Sequence, residues 1–202
     1  TSNPLNNVIR VDYELDENED DVPDQYQVKV SYTAENGTVS VEGPEYVTIY
    51  VDGDVNKGYA KPGTDGAYGT LEAEQIAEAT AASGYDQSTE LWSLSGRPTQ
   101  KPTPEMQIRE DREYQVTFEK GTYGYEVVKH YTDAEGTEKT DVTKGTAVFD
   151  EGILEISGVT VLQNEEYEGK NYTLVKVDGY DRLVTADAKA NKVDIYYELD
   201  EN

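Results

Sequence analysis

From residue 16 to residue 24 the chain reads Asp-Glu-Asn-Glu-Asp-Asp-Val-Pro-Asp, which sets side-chain oxygens at Asp16, Asn18, Asp20 and Asp24. Counted from Asp16, these fill positions one, three, five and nine of a loop, and the main-chain carbonyl of Val22 falls at position seven. A hard cation gathers about six to eight oxygen ligands, so the chemistry open to this run is calcium binding. Two positions depart from that use. Position six, where glycine makes a sharp turn, is Asp21, and position twelve, where a bidentate glutamate completes the shell, is Gln27. The competing reading is a solvated acidic linker, because seven of the eleven residues in 14–24 are acidic and charge runs usually face water. A second set, Asp52, Asp54 and Asn56, has similar spacing but runs into Lys57 with no further acid, and reads as an ordinary turn.

Other chemistry is thinly supplied. His130 is the sole histidine and there is no cysteine, so neither a Cys/His nucleophile nor a His-rich or thiolate metal site is available. The histidine lies in an alternating stretch and reads as a structural or exposed strand residue. The glycine-rich stretch 63–69 is not followed by the Lys-Ser/Thr pair of a phosphate loop. No carboxylate pair stands in an aromatic-lined context that would mark glycoside hydrolysis. These absences point away from an enzyme. Seventeen basic residues against 42 acidic ones give a formal charge of -25, a field that repels phosphate backbones and anionic headgroups, so neither nucleic acid nor a membrane surface is an expected partner. No run approaches the roughly 18 apolar residues needed to span a bilayer.

The elements that must position these residues are mostly strands. The 17 tyrosines, beside 2 phenylalanines and 1 tryptophan, suit half-buried sheet faces where a ring packs and its hydroxyl stays wet. Residues 8–15 alternate as a strand, and the acidic run with Pro23 marks a domain junction. Tyr26, Val28, Val30 and Tyr32 lie on one face of the next strand, with a turn at Glu35-Asn-Gly37 and a partner region through Val39, Val41, Val47, Ile49 and Val51. Thr70 as cap, acids in the first turn and Gly84 beyond the end predict a helix over about 71–83. Further strands are expected at Leu91, Trp92 and Leu94 and over 114–119. The pattern then restarts with Tyr123, Tyr125 and Val127, turns at Asp133-Ala-Glu-Gly136, and offers further strands over 146–149, 153–162, 171–177 and 192–199, with no helix. The class is mostly β, or α+β. The expected divisions are 1–18 (a closing strand and acidic linker), 19–120 and 121–202.

A self-match organises the whole. Asn7-Val-Ile-Arg-Val-Asp-Tyr-Glu-Leu-Asp-Glu-Asn18 returns as Asn191-Lys-Val-Asp-Ile-Tyr-Tyr-Glu-Leu-Asp-Glu-Asn202, with the last six residues identical and an offset of 184. Such an offset implies a tandem array, of which this chain holds one period and the closing strand of the unit before it. Arrays serve reach and avidity more often than catalysis.

The residues also carry resemblances. The acidic run is similar to the calcium loops of EF-hands and thrombospondin-type repeats. Val22-Pro-Asp-Gln-Tyr-Gln27, Asn36-Gly-Thr38, Gly84-Tyr85, Trp92 and the closing Tyr114-Gln-Val-Thr-Phe resemble the internalin B-type repeats of clostridial surface proteins. Tyr125-Glu-Val-Val-Lys-His-Tyr131, the turn at 133–136 and Gly179-Tyr180 resemble mucin-binding-protein (MucBP) domains. The resemblance covers about residues 14–202. It implies two small β-grasp-like domains in tandem, joined by short linkers in an elongated arrangement, on an extracellular Gram-positive cell-surface protein anchored through parts outside this chain. It further implies a monomeric unit with a host glycoprotein as partner. A pure spacer with calcium-stiffened junctions and the capture of a host protein such as an immunoglobulin through a strand edge are the alternatives. Domains of this kind sometimes carry a Lys–Asn isopeptide bond, for which Lys29 and Lys129 are the places to look.

Overall fold

Val28, Val30 and Tyr32 alternate with Lys29, Ser31 and Thr33, and the backbone adopts the period of two that this demands: Gln27–Glu35 is a strand (β1) with the first set buried. A computed structural model describes residues 13–200 and divides them into two compact units. The first runs to Thr80 and resumes over Glu90–Thr117, while the second takes Ala81–Thr89 and continues from Phe118. Most of the leading strand expected over 8–15 lies outside the described residues.

In the first unit, β1 is followed by β2 (Gly37–Val39), β3 (Glu45–Thr48), β4 (Ala79–Ala81), β5 (Leu91–Leu94), β6 (Arg97–Pro98) and β7 (Arg112–Thr117). The main sheet runs β3-β1-β7-β5-β6, and β2 pairs only with β4. β1 and β7, first and last in sequence, lie side by side and parallel, in register from Val30↔Arg112 to Glu35↔Thr117. β3 and β5 flank them antiparallel. Tyr32 stacks on Tyr114 with centroids 5.8 Å apart and meets Trp92 edge-on at 6.2 Å, which places the aromatic density on the buried face of this central pair.

The second unit repeats the plan. β8 (Thr122–Thr132) and β9 (Glu138–Val148) form a long hairpin, a short helix α1 (Ile153–Ser157) comes next, and β10 (Asn164–Tyr167), β11 (Lys170–Asp178) and β12 (Lys192–Leu199) complete the order β10-β11-β12-β8-β9. The first strand again pairs in parallel with the last, β8 with β12, from Glu126↔Lys192 to Thr132↔Glu198. The mostly β, α+β class read from the sequence holds. Tyr125, Val127, Tyr131, Ile153, Tyr172, Val193, Ile195 and Tyr197 make the core. Where β11 opposes β12 the register shifts between Leu174 and Lys176, a bulge that bends the strand.

The helix expected over 71–83 is not there. Ala73–Gln75 make a single 3-10 turn and Ala79–Ala81 are strand β4. The capping signal is real but is spent on that one turn. Gln75 Oε1 accepts from the Glu72 N–H at 2.9 Å, and its Nε2 donates across to the Tyr46 carbonyl at 3.0 Å, tying the turn to β3. Burial of Leu71 and Ala77 and the Ser40 N–H bond to the Glu78 carbonyl then draw the chain out beside β2, so tertiary pairing overrides local propensity. The strand expected over 153–162 is likewise corrected. Ile153 is fully buried and starts α1, and Gly158, at φ +66, ends it after five residues.

Asn191, just ahead of β12, is completely buried. Its Oδ1 accepts from the N–H and hydroxyl of Thr185, both at 2.8 Å, and its Nδ2 donates to the carbonyls of Gly124 (3.0 Å) and Thr185 (2.8 Å). Its own carbonyl takes the Glu126 N–H at 2.9 Å. The side chain therefore pins the turn before β12 to the beginning of β8 and sets the parallel register. Asn191→Ala leaves these partners unpaired in the interior and is expected to cost about 2–4 kcal/mol, read as a lower urea midpoint at unchanged slope.

Candidate functional site

The loop over 16–24 is built by its own carboxylates. Asp16 accepts from the N–H groups of Asp20 (3.3 Å) and Asp21 (3.0 Å), and Asp20 Oδ1 accepts from Val22 N–H at 2.9 Å. The Asp24 N–H returns to the Leu15 carbonyl at 2.9 Å, while its carboxylate receives Glu17 N–H at 3.2 Å. Asp21, at the sixth position, stands at φ +67, so the left-handed turn expected of glycine is made by an aspartate, one of the few residues that tolerates it. Gln27, at the twelfth position, is buried and donates Nε2 to Asp20 Oδ2 at 2.6 Å; Asn18 Nδ2 reaches the same oxygen at 3.0 Å. The structure thus gathers Asp16, Asn18, Asp20 and Gln27, and engages Asp24 with the loop's entry. Val22 contributes its N–H to the gathering.

For a hard cation this donor set has the right chemistry, being all oxygen, and one feature is left over: Asn18 Oδ1 is buried with no hydrogen-bond partner. Against that, Gln27 offers an amide where a bidentate carboxylate would close the shell, and among the described residues no three His, Cys, Asp or Glu side chains are grouped so as to hold a metal. The second acidic set forms the expected turn: Asp52 sits at φ +53 and pairs with Lys57 at 2.9 Å, and Asp54 accepts from the Asn56 N–H at 2.9 Å.

Read from sequence alone, His130 is a plain strand residue, and nothing in its neighbours along the chain shows what surrounds it. Its Nδ1 lies 3.0 Å from Glu138 on β9 and its Nε2 lies 2.7 Å from Asp194 on β12, with the ring stacked on Tyr196 at 4.4 Å. Lys192 joins Asp194 at 2.8 Å and Lys176, from β11, sits over the Tyr196 ring at 4.4 Å. A neutral imidazole has one N–H, so carboxylates on both nitrogens call for the imidazolium. Partial burial by itself lowers the His130 pKa, but the bonds to Asp194 and Glu138 outweigh it and hold the pKa above its ordinary value. Burial raises the Asp194 pKa, and Lys192 and His130 more than reverse this, leaving it below the carboxylate norm.

On the buried side of the same sheet Glu165 receives Lys129 Nζ at 2.6 Å and the Tyr131 hydroxyl at 3.2 Å. Tyr131 stacks against Tyr167 and Tyr197. Burial, then the adjacent Glu165, pushes the Tyr197 hydroxyl up to about 12 and raises Tyr131 as well, so both remain hydrogen-bond donors. Lys129, a candidate for a Lys–Asn crosslink, faces a glutamate here. No helix among the described residues is long and apolar enough to cross a membrane.

No family model matches the chain, and no curated protein matches it.

As the sole histidine, His130 gives one imidazole signal in a proton NMR titration, and its pKa is expected above the ordinary 6.5 or so. Because the folded pKa is raised, the stability it contributes is complete below about 6.5 and is lost as pH climbs through the folded value. Asp194 is the converse, contributing above about 3.9 and losing it as pH falls through its lowered value. The stability difference between wild type and His130→Gln should therefore be greatest between about pH 4 and 6.5 and shrink toward pH 8.

Proposed function

We propose that the chain is a non-enzymatic repeat unit of a bacterial cell-surface adhesin, meeting a host glycoprotein with low affinity per unit and gaining strength by repetition. The observation that carries this reading is the residue code of β12. Its inward side chains Val193, Ile195 and Tyr197 are fully buried, Leu199 packs on the same core, and buried Asn191 precedes it. Each has a counterpart 184 positions earlier, at Ile9, Val11, Tyr13, Leu15 and Asn7, whereas outward Lys192, Asp194 and Tyr196 correspond to Val8, Arg10 and Asp12. Residues 7–12 lie outside the described residues and Tyr13 and Leu15 are exposed here, so the match is one of sequence. Keeping the core code while the surface drifts is the mark of a duplicated unit, which favours an array. The sole imidazole has both nitrogens held by carboxylates, which favours a structural role for it over catalysis. In this reading the unit stands outside the cell and is anchored through other parts of its parent.

A stalk is the second reading, favoured by the parallel clamp. Tension between the start of β8 and the end of β12 loads the ladder from Glu126↔Lys192 to Thr132↔Glu198 in shear, so its bonds resist together instead of unzipping one by one. Calcium belongs to this reading. It would be held by the side chains of Asp16, Asn18, Asp20 and Asp24 and the carbonyl of Val22, and would supply stiffness ahead of β1; the orphaned Asn18 Oδ1 supports it.

Two measurements divide the readings. Surface-immobilised mucin, fibronectin and immunoglobulin should retain the chain if it is an adhesin; loss of signal on deglycosylation marks a glycan reader, retention by immunoglobulin alone marks capture of that protein, and retention by none leaves the stalk. Titration calorimetry with millimolar calcium should give heat and raise the melting temperature. No heat, with unchanged hydrodynamic size, removes calcium from the account.

A further inference from the structure

A groove in the second unit lies between α1 and the segment 179–184. Two adjoining hollows of about 460 and 470 Å³ share Gly152, Glu155 and Leu183 along it. Three large apolar side chains line it while remaining open to solvent: Ile156 and Leu183 at 46% exposure and Tyr180 at 61%. A solitary exposed apolar residue is ordinary, but three in one concavity mark a contact surface. Backbone hydrogen bonds tie its two sides together. Asp150 N–H bonds to the Val184 carbonyl at 2.8 Å, Val184 N–H to the Glu151 carbonyl at 2.8 Å, and Ile153 N–H to the Arg182 carbonyl at 3.0 Å. The groove is therefore held in shape before anything enters it, which lowers the ordering cost of binding.

Its rim is acidic and partly unspent. Asp150 pairs with Lys120 at 3.3 Å and Glu151 accepts the Val148 N–H at 3.0 Å. Arg182, the one cation lining the groove, turns its guanidinium to the Lys192 carbonyl. Glu155 and Asp181, both exposed, have no hydrogen bond or ion pair among the described residues. Two free carboxylates beside these apolar side chains, in a chain of net charge -25, select for a cationic, amphipathic occupant and oppose a second copy of the chain. Tyr180 adds a ring on which an aliphatic stem or a guanidinium can lie.

We propose that this groove docks a basic segment of a partner protein, one that sets a Leu- or Phe-sized side chain between Ile156 and Leu183 and lysines or arginines against Glu155 and Asp181. The assignment rests on the reading of this chain as a protein-binding unit, and names the chemistry of the segment it meets.

The probe is a short peptide of leucine and phenylalanine anchors flanked by lysines and arginines, added to the full isotope-labelled chain. Amide shifts should cluster at Gly152, Glu155, Ile156, Tyr180 and Leu183. Charge reversal at Glu155→Lys with Asp181→Lys should weaken binding about tenfold, and Ile156→Ser with Leu183→Ser by a similar factor. All four side chains are exposed, so the melting temperature should hold. A peptide with glutamates for its basic residues should not bind, and one with serine for its anchors should bind about tenfold more weakly. Shifts scattered over the acidic surface, or equal binding of either control peptide, overturn the proposal. If the charge-reversed chain still binds immobilised host protein at full strength, the groove is wrong while the adhesin reading stands.

Discussion

The second unit depends on one junction, the parallel pairing of β8 with β12, and that pairing depends on Asn191. Parallel neighbours cannot be joined by a tight turn, so β9, α1, β10 and β11 are all interposed between two strands that must finish side by side. Each strand then seats an antiparallel partner on its free flank, β9 on β8 and β11 on β12. A one-residue slip would turn Val193, Ile195 and Tyr197 outward, so the register has to be fixed at one end. A buried amide with two donors and two acceptor lone pairs, meeting Thr185 and Gly124, does that in a way no apolar side chain could. On the solvent face His130 ties β8 to β9 and β12 at once, so both faces of the sheet reinforce the same three strands.

Burial decides how much of the fold is legible in the sequence. β1, β8 and β12 are central strands with one face in the core, and their alternation is plain; β12 has the bounds expected of it. β9 is legible only near its end, because an edge strand exposed almost throughout has no buried face to impose a period, and Glu138-Lys-Thr-Asp-Val-Thr-Lys reads as loop. α1 is hidden for the opposite reason. Five residues are too few to display a 3.6 period, and Ile153, Leu154 and Ile156 fit a strand as well until Gly158 ends the turn. The capping residues Glu72 and Gln75 can be read locally, yet they govern one turn; the extended path taken after that turn is set by Ser40, far away in sequence.

The candidate sites divide along the same line. The loop over 16–24 is local, so its oxygens can be counted from the sequence, and only the left-handed turn at Asp21 and the inward reach of Gln27 need coordinates. His130 with Asp194, 64 positions apart, and the groove made from residues near 155 and 182 are assembled by the sheet. No spacing rule spans such distances. Their composition gives no hint either, since a chain with 42 acids always has some near any point.

That acidity also bears on how two copies of this chain meet. β9 is an 11-residue edge strand with no further strand paired on its outer side among the described residues, the kind of strand that recruits another like it. Lys139, Asp141 and Lys144 interrupt it with charge, and the overall field makes two copies repel as they approach. The same field attracts whatever is basic. A surface that repels its own kind and attracts what is basic discriminates by charge without a deep pocket. The acidic composition is therefore tied to the architecture: a sheet with an exposed edge strand is kept from pairing with another copy by a charge of one sign.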